Sequence, residues 1–342
     1  MRRFSGALIL FLFAVTMVSC QKDRAVQTSF YYWKTVYDQN DVENGYLDSL
    51  HVRKLYIRIT DVDVGDSGPI PVSPISFKRQ IPAELAVIPV VFIVNKVLTN
   101  QTHQQLDNLA GKICSYVNGK VTQSGKTDFE ELQIDCDWTR TTRDNYFYLL
   151  KRINANQLLK NKKLSATLRL HQLKNQIANG IPPVDRVMLM CYNMGNLRLY
   201  GTQNSILEQS ELEKYMNKNL SVYPVPVDIG LPLFSWAVVF RQKQYLGIAK
   251  RLKNEDFANT KLFSRTATNL YTLQDDLPAL ALKRGDEIRW ETISKAKLSQ
   301  AANYIQKNIG ADTLNIIYFH LDENTLKNYP YETLEETTAL FR

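Results

Sequence analysis

One stretch concentrates the chemistry in this chain: Glu131-Leu132-Gln133-Ile134-Asp135-Cys136-Asp137-Trp138-Thr139. Side chains of a β-strand alternate between its two faces. Leu132, Ile134, Cys136 and Trp138 therefore share one side, and Glu131, Gln133, Asp135, Asp137 and Thr139 the other. Helix-like segments flank the stretch, which places the apolar side under helices and turns the carboxylates into an enclosed space. An unpaired carboxylate in such a place either costs several kcal/mol or takes up a proton. Acids so placed can act as a general acid or base, or grip a polar ligand. A strand lying on the surface would show the same alternation with no such consequence.

Two other stretches divide in the same way. In 54–62, Leu55, Ile57 and Ile59 oppose Tyr56, Arg58 and Thr60; in 164–172, Leu164, Ala166, Leu168 and Leu170 oppose Ser165, Thr167, Arg169 and His171. Arg58 and Arg169 are the expected partners of Asp135 and Asp137, which answers the desolvation problem. Further strands are expected near 30–35, 88–94, 184–193, 225–236 and 314–320. Helical spacing recurs at 106–117, 146–153 (capped by Thr141 or Thr142), 206–215 and 298–309, and 65–82 reads as a long loop. Strands alternating with helices predict an α/β fold, a (β/α)8 TIM barrel over 29–342, with a β-rich insertion at about 237–292 between strand 7 and helix 7. Such barrels keep their reactive groups at the C-terminal ends of the strands. Here those ends carry Trp33, Asp61, Asn95, Asp137, Thr139, His171, Gln172, Tyr192, Asn193, Trp236 and His320.

The N-terminus belongs to targeting. Arg2 and Arg3 precede an apolar run over 6–18, too short to span a bilayer, that closes on Met17-Val18-Ser19-Cys20. This resembles a bacterial lipoprotein signal. It implies removal of 1–19, lipid on Cys20, a tether over 20–28 and attachment of an exported protein to the cell envelope. Gln21, rather than an aspartate, implies the outer membrane; an ordinary secretory signal is the alternative. The formal charge of +8 loses the contributions of Arg2 and Arg3, and the remainder is spread along the chain, which disfavours nucleic acid as a partner. Cys114, Cys136 and Cys191 match no zinc or redox spacing and read as small buried hydrophobes. His171 and His320 are too few and too far apart to argue for a metal. Asp61-Val62-Asp63-Val64-Gly65-Asp66 lacks the ligand pattern of a calcium loop. No metal and no cofactor is expected.

Asp135-Cys136-Asp137-Trp138-Thr139 resembles the fourth-strand signature of family 18, chitinase-like glycoside hydrolases, in which aspartates at alternate positions lead to a catalytic glutamate. Met190-Cys191-Tyr192-Asn193 is similar to their sixth-strand motif, and Gly230-Leu231-Pro232-Leu233-Phe234 to the end of their seventh strand. The pattern is also similar to bacterial barrel lipoproteins with an aspartate-rich fourth strand. The resemblance gives Asp135, Asp137 and Tyr192 the task of holding and polarising a sugar's acetamido group. It also exposes a departure. Thr139 stands where the proton-donating glutamate belongs, and Leu132 replaces the first aspartate. A threonine hydroxyl cannot protonate a leaving alkoxide at neutral pH. Three readings stay open: a carbohydrate-active enzyme with relocated acid–base groups (Asp137, assisted by Glu131, His171 or His320); a sugar-binding protein without catalysis; and a structural lipoprotein whose polar interior is a satisfied ion-pair network. In the first two, Trp33 and Trp236 stack on sugar rings, while Arg58, Gln133, Thr139, Arg169, His171 and Asn193 supply polar contacts.

Overall fold

The computed structural model describes residues 24–342; the signal over 1–19 and Cys20 lie outside the described residues. Eight strands form the barrel: β1 (Ala25–Tyr32), β2 (Lys54–Gly65), β3 (Ala86–Ile93), β4 (Glu131–Asp135), β5 (Lys163–Arg169), β6 (Arg186–Met190), β7 (Val227–Pro232) and β8 (Thr313–Phe319). Each pairs in parallel with the next, and β1 closes the ring by pairing with both β8 and β2. The principal helices are α1 (Asp41–Ser49), α2 (His103–Gln123), α3 (Arg143–Asn154), α4 (Leu170–Lys174), α5 (Gln209–Met216), α6 (Lys295–Gln306) and α7 (Tyr331–Ala339). No helix of the described residues is long and apolar enough to cross a membrane.

The alternation of β4 does what its side-chain types dictate. Leu132, Ile134, Cys136 and Trp138 are sealed between barrel and helices, with Trp138 stacked on Tyr146 of α3 and donating its indole N–H to the carbonyl of Asn179 at 3.0 Å. Cys114, Cys136 and Cys191 are free thiols, all buried.

Four local expectations give way to tertiary contacts. The strand expected after a tether over 20–28 already begins at Ala25, because 25–28 run beside Thr313–Ile316 of β8, and this pairing overrides a polar local sequence. In the stretch expected as one strand over 164–172, β5 stops at Arg169 and the chain turns into α4, which takes His171 and Gln172 out of the barrel interior. Thr142 stands at the N-cap of α3 without a side-chain capping bond; its hydroxyl donates to Asn95 instead at 2.5 Å. No helix follows β2. The segment expected as a loop carries the strand Gly68–Val72, antiparallel to the upper end of β2. An apolar groove of about 690 Å³ opens between that hairpin and α2, lined by Val62, Ile70, Val91, Leu109 and Ile113 among others.

Between β7 and α6 lies a separate antiparallel sheet of five strands, spanning Trp236–Arg241 to Glu287–Glu291. It has its own small core around Val239, Phe257, Phe263 and Ile288.

Candidate functional site

The barrel interior is stacked in polar layers rather than filled with aliphatic side chains. At the lowest layer Glu131 accepts from Ser165 Oγ at 2.5 Å, and Asp228 lies 2.9 Å from Arg186. One layer up, Gln133 accepts from the Tyr31 hydroxyl and lies 3.4 Å from Ser165 Oγ. Above it Asp135 accepts from Thr167 Oγ1 at 2.7 Å. At the rim both oxygens of Asp137 accept from Arg169, at 2.6 Å and 2.7 Å. Glu131 and Gln133 are therefore spent on the framework, beneath the groups that face the opening.

The expected partner of Asp135 is elsewhere. Arg58 forms its own fork with Asp61, at 2.5 Å and 2.6 Å, and its guanidinium sits 5.9 Å from the Trp33 ring. The lengthened β2 brings Asp61 level with Asp135 across β3, so Arg58 finds a carboxylate three residues along its own strand. Asp135 is left with a hydroxyl and no ion-pair partner of its own, only the more distant charge of Arg169. Burial, reinforced by the neighbouring charge of Asp137, pushes its pKa up to about 7 against the opposing pull of the Thr167 hydrogen bond.

Tyr192 completes the centre. It is 3 % exposed, its hydroxyl has no hydrogen-bond partner, and burial followed by the Asp135 charge raises its pKa well above the ordinary phenol value. Gly230 makes room for it. A Cβ at that position would lie 2.5 Å from Met188 Sδ and 3.2 Å from Tyr192 Cε1. Gly230→Ala is expected to cost about 1–3 kcal/mol by overpacking. It should also weaken ligand binding by displacing the phenol, read by thermal melting alongside titration.

Around these groups runs a chain of aromatic rings. Centroid distances are 5.4 Å for Trp33–Phe319, 5.7 Å for Phe319–Phe234 and 5.1 Å for Phe234–Trp236. Tyr31 and Tyr192 join it from inside, at 5.7 Å and 5.5 Å from Phe319. Trp33, Phe234, Trp236 and Phe319 are all half-buried, so each keeps surface for a ligand.

The other expected site residues divide. Trp236 belongs to this chain and is fixed by its indole N–H, which donates to Glu291 at 2.9 Å. Asn193 follows β6 with φ of 54°, a left-handed conformation that asparagine tolerates, and lies exposed at the rim. His171 is also on the rim, exposed on α4, with burial of its inner side and the Arg169 charge holding its pKa below the usual value. Arg169, His171, Tyr192 and Asn193 come together around a cavity of about 80 Å³. Thr139 is exposed, and its hydroxyl lies 2.9 Å from that of Thr141 and 3.3 Å from that of Thr142. It does not join the buried centre. His320 is largely enclosed, its Nδ1 has no partner, and burial lowers its pKa to about 4. Thr167, Phe234 and Phe319 were not singled out as site residues. The polar parity of β5 marked Thr167, and Phe234 closed the seventh-strand motif, whereas Phe319 carried no signal beyond lying next to His320.

Compared with known proteins, no family model and no curated sequence matches this chain. Solved structures do. The spore cortex-lytic enzyme SleL of Bacillus cereus is 15 % identical, with a TM-score of 0.55 over 93 % of this chain and 75 % of that one. A chitinase from Chromobacterium violaceum is 11 % identical, with a TM-score of 0.53 over 92 % and 99 %. Catalytic domain 2 of a Group II chitinase from Ostrinia furnacalis is 11 % identical, with a TM-score of 0.54 over 93 % and 96 %. The fold is that of family 18 chitinases. In this chitinase-like barrel Asp135, Asp137 and Tyr192 lie at the C-terminal ends of β4 and β6, where TIM barrels hold their ligands.

Proposed function

We propose that the mouth of the chitinase-like barrel binds carbohydrate without cleaving it. Sugar rings stack on Trp33, Phe234, Trp236 and Phe319, and a polar ring substituent reaches down to Tyr192 and Asp135. The observation that carries this reading is the unbroken run of half-exposed rings beside a buried phenol with no hydrogen-bond partner. Thr139, which stands where the resemblance puts the acid, is a hydroxyl turned towards other threonines, and both oxygens of Asp137, the expected relocated acid, are engaged by Arg169. The printed ligand of one structural neighbour, an Ostrinia furnacalis chitinase domain with a penta-N-acetylchitooctaose, favours N-acetylated sugars as the first probes; it is 11 % identical with a TM-score of 0.51.

Titration of the purified protein with chitohexaose, with product analysis in parallel, tests this. Binding without product is expected, and Trp33→Ala should weaken it by about tenfold, or about 1.4 kcal/mol, with circular dichroism showing that the variant is folded. No binding to any member of a broad glycan panel would sink the proposal. A hydrolytic reading has one observation in its favour, the proton that Asp135 retains near neutrality. Product release abolished by Asp135→Asn would establish it.

We further propose that Cys20 carries lipid and fixes the protein to the outer membrane. The support is the sequence Met17-Val18-Ser19-Cys20-Gln21 after a short apolar run. Cys20→Ser should move the protein out of the membrane fraction; unchanged fractionation would refute the anchor.

A further inference from the structure

Resting on the carbohydrate-binding reading, we propose that the cavity beside the aromatic run is a subsite for the carboxylate of an acidic sugar, a hexuronate being the simplest case. Its walls are Arg169, His171, Tyr192, Asn193, Met194 and Tyr215, together with Leu170. At about 80 Å³, between two and three times the ~30 Å³ share of one water, it has room for a small polar group such as a carboxylate.

The donors are in place and unspent. Arg169 uses Nε and one terminal nitrogen on Asp137, and no described residue accepts from its Nη1. Nη1 is not fully buried and keeps accessible surface. The Tyr192 hydroxyl also lacks a partner but is fully buried, so the accessible donors of the wall are those of Arg169 and Asn193. The Asn193 side chain makes no hydrogen bond among the described residues and stands exposed at the rim. A planar guanidinium with a free N–H end suits a carboxylate better than a neutral hydroxyl, because hydrogen bonds between ionised groups are the stronger ones.

The charge around the cavity points the same way. No carboxylate lines it; Asp137 engages Arg169 through the Nε edge and is not part of the wall. Lys174, the last residue of α4, holds its ammonium 5.4 Å from the Tyr215 ring and has no ion-pair partner among the described residues. Lys214 also lies over Tyr215, at 5.0 Å, but is paired with Glu211. An anion entering the cavity therefore meets Arg169 directly, with the Lys174 ammonium over the ring of Tyr215. His171 is the titratable neighbour that would report its arrival by taking up a proton.

Paired titrations with a hyaluronan hexasaccharide, in which uronate alternates with N-acetylglucosamine, and with neutral chitohexaose test the subsite. The acidic oligomer should bind at least tenfold more tightly at low salt. Its binding should raise the His171 pKa, followed by the ring-proton resonances of that histidine. Asn193→Asp keeps the size and tolerates the same backbone conformation but places a carboxylate in the wall. It should reduce affinity for the acidic oligomer at least tenfold more than for the neutral one, and circular dichroism and melting will show whether the variant is folded. Binding of chitohexaose with no preference for the uronate would overturn the subsite and leave the carbohydrate reading standing. Binding of neither oligomer would overturn the subsite, and the carbohydrate reading falls with it only if the broad glycan panel also shows no binding.

Discussion

Glu291→Ala is expected to lower the free energy of unfolding by about 3–5 kcal/mol, the cost of stranding one charge of a buried pair. Arg289 and Glu291 have no exposed side-chain surface. The Arg289 guanidinium donates to Glu291 at 2.6 Å, to the carbonyl of Leu199 at 2.7 Å and to that of Leu197 at 3.1 Å. The other oxygen of Glu291 accepts from the backbone and hydroxyl of Ser205, both at 2.7 Å, and from the Trp236 indole at 2.9 Å. One carboxylate thus ties the insertion sheet to the segment after β6 and to the last ring of the aromatic run. Its loss leaves a guanidinium facing carbonyls alone. Denaturant unfolding followed by circular dichroism measures the effect. The double variant Arg289→Met with Glu291→Leu should recover much of the loss, since it strands no charge. If the double variant is as unstable as Glu291→Ala, the lost hydrogen bonds, not the unpaired charge, are responsible.

Asp135→Asn should have the opposite sign. In the folded chain Asp135 holds its proton to about pH 7, against an ordinary value of 3.8. A proton held more tightly by the folded state favours folding at low pH. That contribution is complete below 3.8, shrinks as pH rises and is gone above about 7. At 1.36 kcal/mol per pH unit, the ionised carboxylate costs the protein on the order of 4 kcal/mol at pH 8. Asparagine retains a carbonyl to accept from Thr167 and carries no charge, so the variant should be more stable than the parent at pH 8 by an amount of that order. The two should converge by pH 4. Asp228, raised by burial to about 6, adds the same slope to both proteins and cancels in the comparison. Binding of carbohydrate should weaken in the same variant if Asp135 serves the ligand. A variant less stable than the parent at pH 8 would instead make Asp135 part of the framework. Stability lost to keep an acid in place is common at functional sites.

The positions of these acids differ in how far they could be read in advance. Side-chain alternation is a local property, so the inward set Glu131, Gln133, Asp135 and Asp137 followed from residue order alone, as did the outward set ending in Trp138. Repetition of the same division in β2 and β5 marked the inner polar face, and the alternation of strands with helices along the chain predicted the barrel. The pairing of Arg169 with Asp137 was also legible, because adjacent strands of one polarity put these two residues on neighbouring rim positions. Arg58 was misassigned because sequence gives no access to the offset between strands. β2 runs past its neighbours, places Asp61 level with Asp135, and offers Arg58 a nearer carboxylate.

By itself, then, the sequence determined which faces look inward, how many strands close the ring and where the insertion enters, since periodicity and turn chemistry act over a few residues. Only the tertiary structure decided that His171 leaves the interior, that Gln133 is consumed by Tyr31, and that Asp135 keeps its proton near neutrality. Each of these depends on which side chains from distant strands compete for the same partner and on how much water is excluded around them. Burial and pairing are properties of the closed barrel, and no single strand contains them.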